Sequence, residues 1–163
     1  MKKSVFYFFK LTKPVIMPYG WQDFLLALPR IICGYLLAFN FGAAKFGLPW
    51  SPQENNLRLF EVAYWFPNDI SNYGGIFSLF PNFLAWMGAF SEGIGGLMLI
   101  LGFQTRIMSF LIFCTMGVAA FCQHGQEGLW NMLPALAFLF VSVFTMILGS
   151  GRIGIDFLIT HKS

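Results

Sequence analysis

The sequence predicts an all-α fold, an integral membrane four-helix bundle with a long extracytoplasmic loop between helices 1 and 2. Composition is the first reason, because 57% of the 163 residues are hydrophobic and only 10% are charged. A soluble domain usually has about 25% charged residues, so this chain has too little polar surface to cover a water-exposed fold. The second reason is that four separate apolar stretches approach the roughly 20 residues that span a bilayer.

Each predicted membrane helix is an apolar stretch bounded by proline, glycine or polar residues. The stretches lack the alternation of a barrel strand and are longer than one. The predicted helices cover residues 24–46, 82–102, 106–123 and 129–148. They form one membrane domain at residues 24–157, between an N-terminal segment at residues 1–23 and a tail at residues 158–163.

The distribution of positive charge predicts the orientation in the membrane. The N-terminal segment has lysines at positions 2, 3, 10 and 13, the turn between helices 2 and 3 has Arg106, and the C-terminal part has Arg152 and Lys162. The loop at residues 48–80 has one basic residue, Arg58, among several acidic ones. The positive-inside rule therefore predicts a multi-pass protein of the bacterial cytoplasmic (inner) membrane with both termini in the cytoplasm. Lys45, at the other end of helix 1, is an exception.

Two further segments outside the predicted spans have a recognisable pattern. Val5 to Phe9, flanked by lysines, is either an interfacial segment or an unstructured apolar tail. Leu57 to Phe66 is predicted to form a short surface helix with Arg58 and Glu61 facing water. This loop is expected to cover the outer mouth of the bundle or to dock a partner; the alternative is an ordinary solvated connection.

Charged residues inside the predicted spans are the main candidates for a site. A charge at the bilayer centre costs at least about 2.5–3.5 kcal/mol, so it usually has a partner. The helix periodicity aligns small residues with the charges, and small residues allow close approach of membrane helices. We therefore expect the charges to face the bundle interior. The candidate residues are Arg30, Lys45, Glu92 and Arg106, together with Asp156, which follows the fourth span.

Estimated depths predict that four of these residues meet in the cytoplasmic half of the bundle. Arg30, Arg106, Glu92 and Asp156 would form a network of two positive and two negative charges. Such a network has three interpretations. It is an architectural cluster of ion pairs, a polar pocket for a small ligand such as a quinone head group, or part of a proton or ion path.

Several short motifs follow one another along the chain: Arg30, Gly42-Ala-Ala-Lys45, Glu92-Gly-Ile-Gly95-Gly96, Gly102-Phe-Gln-Thr105-Arg106, and Gly151-Arg152 followed by Asp156. Their order resembles the DoxX family of small four-helix membrane proteins. The resemblance extends over roughly Phe24 to Phe157 and implies an association with membrane redox systems, including quinone-linked sulfur oxidation. The long loop after helix 1 and the N-terminal extension depart from the family pattern.

Other chemistry finds little support in the sequence. The three cysteines form no CxxC couple, and neither histidine lies inside a predicted span. We therefore expect no metal site and no covalently bound cofactor, and the small net charge of +3 predicts no nucleic-acid partner. A quinone is the one cofactor that the pattern suggests.

Three functions remain open at this stage. The first is a non-catalytic membrane subunit or anchor of a redox or envelope complex. The second is a quinone-binding subunit of a membrane oxidoreductase, which would need a partner's cofactor because the sequence contains no complete redox centre. The third is a carrier of a small molecule, which the small size makes less favourable. The expected partners are the lipid bilayer and a protein partner or a second copy of the chain.

Overall fold

The computed structural model describes residues 12–125 and 128–161, and it confirms an all-α membrane helical bundle. Four helices are long and apolar enough to cross a bilayer: α1 (Gly20–Lys45), α4 (Pro81–Leu101), α5 (Thr105–Gln123) and α6 (Leu129–Leu148). Three short α-helices, α2 (Phe66–Ser71), α3 (Ile76–Leu79) and α7 (Ile155–His161), and one 3-10 helix (Gln53–Asn55) complete the described elements. The described residues contain no strand, only an isolated bridge between Phe46 and Val62.

The bundle has two ends that differ in chemistry. The terminal end is formed by Gly20, Leu101, Thr105 and Leu148, and the loop end by Lys45, Pro81, Gln123 and Leu129. The stretch before α1 packs against the terminal end, where the Val15 N–H donates to the Leu148 carbonyl at 2.8 Å. Most of the predicted interfacial segment, including Val5 to Phe9, lies outside the described residues.

Local sequence signals account for the ends of the long helices. Pro81 is at the start of α4, where a backbone N–H would have no intrahelical acceptor. The absence of an N–H in proline therefore costs no hydrogen bond at this position. Gly102 ends α4 in the left-handed region with φ of 65°, as a helix C-cap glycine usually does. Gln104, with φ of 48°, completes the tight turn into α5.

Helices α1 and α4 approach each other closely along the predicted small-residue faces. A Cβ added to Gly34 would lie 2.6 Å from the Gly96 carbonyl oxygen, and one added to Gly42 would lie 2.5 Å from the Gly93 nitrogen. Neither contact tolerates a side chain, so the glycines set the distance between the helices. The buried face of α4, which includes Glu92, confirms that this residue points into the bundle.

Two stretches of the long helices are π-helical. They are Leu36–Gly42 within α1 and Ala119–Gln123 within α5, and both lie in the half of the bundle nearer the loop end. A π-helix changes the hydrogen-bond register of the backbone and is frequent at functional sites. In α1 the altered backbone receives an outside donor, because the Trp50 indole N–H bonds to the Ala38 carbonyl at 3.0 Å.

The connection between α1 and α4 differs from the prediction. Leu57 to Phe66 was expected to form a surface helix, but only Phe66 belongs to one. The backbone of this stretch bonds instead to the extended end of α1: Ala63 N–H donates to the Lys45 carbonyl at 2.9 Å, and Phe60 N–H to the Gly47 carbonyl at 2.7 Å. Because these groups pair with α1, they cannot form a helix of their own.

The short helix α2 packs into the side of the bundle. Phe66 and Ile70 are buried in one apolar cluster with Ala85 and Ala89 of α4. The Phe66 ring would lie 3.6 Å from a Cβ added to Gly88. At about 1.5 Å per residue, Gly88 is about 10 Å along α4 from the loop end. The loop therefore contributes to the interior of the bundle as well as to its surface.

Candidate functional site

The predicted site residues lie in two groups at different depths. Arg30 and Asp156 are close to the terminal end, whereas Glu92 pairs with Lys45 farther toward the loop end. The predicted four-residue network is therefore divided, and this corrects the expectation that Glu92 joins Arg30 and Arg106. Arg30 bonds to the Leu99 carbonyl, which lies about 10 Å beyond Glu92 along α4.

Arg30 and Asp156 hold the turn between α4 and α5 from its two sides. The Arg30 guanidinium donates to the carbonyls of Leu99 and Ile153. The Asp156 carboxylate accepts the N–H groups of Gln104 at 2.7 Å and Thr105 at 2.9 Å. The positive charge of Arg30 thus lies at the C-terminal end of α4, and the negative charge of Asp156 lies at the N-terminal end of α5. Both signs are favourable, because the helix dipole is negative at its C-terminal end and positive at its N-terminal end.

A second ion pair closes the terminal end. Asp23, in the first turn of α1, lies 3.2 Å from the Arg152 guanidinium. The Asp23 carboxylate also accepts the Arg152 backbone N–H at 3.4 Å. Sequence reasoning did not select Asp23, because it falls before the predicted start of helix 1. We name the terminal cluster as Asp23, Arg30, Arg152 and Asp156.

Arg106 lies at the same end but outside these bonds. It is half-buried near the end of α6, and its Nε has no hydrogen-bond partner in the described part of the chain. A Cβ added to Gly149 would lie 3.5 Å from this nitrogen. Arg106 therefore packs against the turn after α6 and does not pair with Glu92.

Lys45 and Glu92 form an ion pair inside the bundle. The Lys45 Nζ lies 2.8 Å from Glu92 Oε2 and donates to Oε1 at 3.0 Å. The Glu92 side chain is 4% exposed and the Lys45 side chain 16% exposed. The Lys45 ammonium also lies 4.7 Å from the centre of the Phe66 ring, in cation–π contact. Although Lys45 ends α1, its long side chain extends inward to reach Glu92.

The ion pair forms part of the wall of a cavity of about 690 Å³. All four long helices and α2 line this cavity, mostly with apolar and aromatic side chains such as Phe41 and Phe138. Its size and lining are typical of sites for small molecules, which combine apolar walls with a few polar groups. Lys45 and Glu92 are the oppositely charged pair in this lining.

Both π-helical stretches contribute to the cavity wall. Leu37 and Phe41 come from the stretch in α1, and Ala119 and Gln123 from the stretch in α5. The periodicity of the sequence predicted ordinary helices at both places, and no motif in the chain marks the change. Two independent π-helical stretches meeting at one cavity favour a functional role for it.

The cysteines lie apart from the ion pair and are free thiols. Cys33 is half-buried in α1, whereas Cys114 and Cys122 are exposed on α5. Within the part of the chain that the structure describes, no three His, Cys, Asp or Glu side chains are grouped as metal ligands would be. Cys114 lies on the rim of the cavity.

Comparison with known proteins identifies the family. The sequence model of the DoxX family matches residues 25–125, which is more than half of the chain and includes Arg30, Lys45, Glu92 and Arg106. Asp156 lies beyond the matched range. No curated protein and no solved structure matches the chain. On the strength of the family match, this membrane protein belongs to the DoxX family.

Proposed function

We propose that this protein is a membrane subunit that binds a quinone in the cavity, with the Lys45–Glu92 pair contacting the quinone head group. The observation that carries the proposal is the position of this ion pair, buried in the wall of a largely apolar cavity of about 690 Å³. An ion pair that served packing alone would be better enclosed by side chains. This pair instead borders space that a ligand can fill.

The chemistry of the pair suits a quinone head group. A quinone has two carbonyl oxygens that accept hydrogen bonds, and a lysine ammonium has three N–H donors. Glu92 takes part of this donor capacity through Oε1, so the remaining donors are free to meet a carbonyl. A quinol hydroxyl would donate to the Glu92 carboxylate in place of the Lys45 ammonium, whose nitrogen lies 2.8 Å from Oε2.

Electron transfer in this proposal needs a second protein. The chain would bind and orient the quinone, exclude water from it and supply or accept its protons through Glu92. The electrons would come from the cofactor of a partner enzyme, because a protein scaffold relies on cofactors for such chemistry. The protein would therefore act as the membrane subunit of a redox complex, and it would need a partner protein.

Binding of a short-chain quinone to the protein purified in mild detergent tests the proposal. The double variant Lys45→Met, Glu92→Gln should weaken the equilibrium binding of decylubiquinone at least about tenfold, since it removes both polar contacts. The matched control is Glu54→Gln, which alters a carboxylate in an exposed turn and should bind as the wild type does. Wild-type protein without measurable quinone binding, or equal binding by all three proteins, would contradict the proposal.

The orientation is proposed on the charge distribution alone. The terminal end would face the cytoplasm of a bacterial inner membrane, since the positive charges of the N-terminal segment, Arg106 and Arg152 belong to it. A green fluorescent protein fused after Ser163 should then fluoresce, whereas alkaline phosphatase at the same place should be inactive. The opposite pair of results would reverse the orientation.

A further inference from the structure

We propose that the cavity opens sideways into the bilayer core, through a lateral portal between α4 and α5 beside Cys114. The ligand would then be a molecule with a long apolar chain that remains in the lipid while its head group meets the ion pair. This inference rests on the proposed function for the identity of the head group. The opening itself can be measured without any ligand.

Cys114 is the first observation. It is exposed on the surface of α5 and also lines the cavity. At about 1.5 Å per residue, it lies about 13 Å inside the loop-end limit of α5 at Gln123. On the outer surface of a membrane bundle, an exposed side chain at that depth faces hydrocarbon. A residue that belongs both to the cavity wall and to the lipid-facing surface marks a place where the two are continuous.

The neighbouring helix supplies the other side of the opening. Phe83 of α4 is 62% exposed and lines the same cavity, and Met87, one turn farther along, is a half-buried lining residue. The α4–α5 turn joins the two helices at the terminal end, and the Ser91–Thr115 hydroxyl bond ties them at 2.6 Å. Between this bond and the loop end, side chains of both α4 and α5 line the cavity.

The chemistry of the rim indicates what passes through it. Phe83, Met87, Cys114 and Val118 are apolar or weakly polar, and none has a charge. Three polar lining residues, Gln123, His124 and Asn131, lie instead toward the loop end, away from this rim. A head group bound at Lys45 and Glu92 could therefore leave an isoprenoid or acyl chain between α4 and α5, in contact with the bilayer.

A cysteine placed inside the cavity tests the opening. Ala119 lines the cavity and is half-buried, so Ala119→Cys, in a protein whose three native cysteines are replaced by serine, reports access to the interior. The protein is reconstituted in phosphatidylcholine vesicles and treated with an apolar maleimide dissolved in the lipid or with a sulfonated, water-borne thiol reagent. Phe110→Cys, 53% exposed on the lipid-facing side of α5 at a residue outside the cavity, sets the rate for full lipid access.

The portal predicts a specific pattern of rates. The apolar maleimide should modify Ala119→Cys within about tenfold of its rate at Phe110→Cys, and the sulfonated reagent should react at least about tenfold more slowly. Cys114→Trp should reduce the apolar rate at Ala119→Cys at least about tenfold by filling the rim. The control Phe110→Trp should leave that rate unchanged.

Two results would overturn the portal. Faster modification of Ala119→Cys by the sulfonated reagent would show that the cavity opens to water at the loop end. An apolar rate insensitive to Cys114→Trp would show that lipid reaches the cavity elsewhere or not at all. Since no quinone is present, these outcomes are independent of the quinone-binding measurement, which alone decides the proposed function.

Discussion

The two ends of this bundle use buried charges in different ways. At the terminal end, Arg30 and Asp156 bond mainly to backbone carbonyls and N–H groups that helix ends leave without intrahelical partners. Toward the loop end, Lys45 and Glu92 bond to each other and border a cavity. The first arrangement places its charges on the ends of helices, whereas the second places an ion pair beside open space.

The difference separates an architectural role from a binding role. A charge that bonds to the backbone at helix ends stabilises the fold, and none of the described residues that line the cavity lies among those ends. An ion pair in a cavity wall contributes less to packing. Each of its two residues can, however, exchange the other for a polar group of a ligand. Both π-helical stretches lie on the cavity side of this division, which agrees with the frequency of π-helices at functional sites.

The largest expected effect is on the free energy of unfolding, which should respond differently to variants at the two ends. Arg30→Met should lower the free energy of unfolding by about 2–4 kcal/mol, because it leaves the Leu99 and Ile153 carbonyls without their charged donor. The double variant Lys45→Met, Glu92→Gln should change it by less than about 1 kcal/mol, since both charges of one pair are removed together. Thermal unfolding in detergent, followed by helical circular dichroism, measures both.

The same variants should give the reverse order in ligand binding. Arg30→Met, assayed below its lowered unfolding temperature, should bind decylubiquinone as the wild type does. A double variant as unstable as Arg30→Met would show that the Lys45–Glu92 pair is also architectural. Loss of binding in folded Arg30→Met would join the two groups into one site.

Two serine variants with smaller expected effects on stability test where the boundary between the two ends lies. Ser91 and Ser109 each bond a threonine hydroxyl across a helix interface, at 2.6 Å to Thr115 and at 2.7 Å to Thr145. Replacing either serine by alanine should cost about 0.6 kcal/mol of stability, the average for such bonds in membrane bundles. Only Ser91→Ala should also change quinone affinity, by a few fold, because Thr115 lines the cavity. Equal affinity changes in both variants would place the boundary elsewhere.

The interior face of α4 could be predicted because it depends on helix geometry alone. Ala85, Gly88, Glu92 and Gly96 recur at three- and four-residue intervals, so they must share a face wherever the helix lies. A face of small residues around a carboxylate has one stable position in a membrane, which is against other helices. The structure confirms this face as buried.

The partner of Glu92 could not be predicted in the same way. Estimated depths favoured Arg30, because Lys45 lies at the far end of predicted helix 1. Depth along a helix ignores the reach of a side chain, and the lysine stem extends inward beside Phe66. Phe66 itself comes from a loop predicted to be a surface helix, and its insertion beside α4 depends on contacts distant in sequence.

The sequence by itself determined that four apolar helices span a membrane and that their small and charged faces turn inward, because both follow from hydrophobicity and a fixed helical period. Only the tertiary structure decided which charges meet, where the helices become π-helical and how the loop enters the bundle. Those features depend on distances between side chains on different helices, and such distances exist only when the helices have packed.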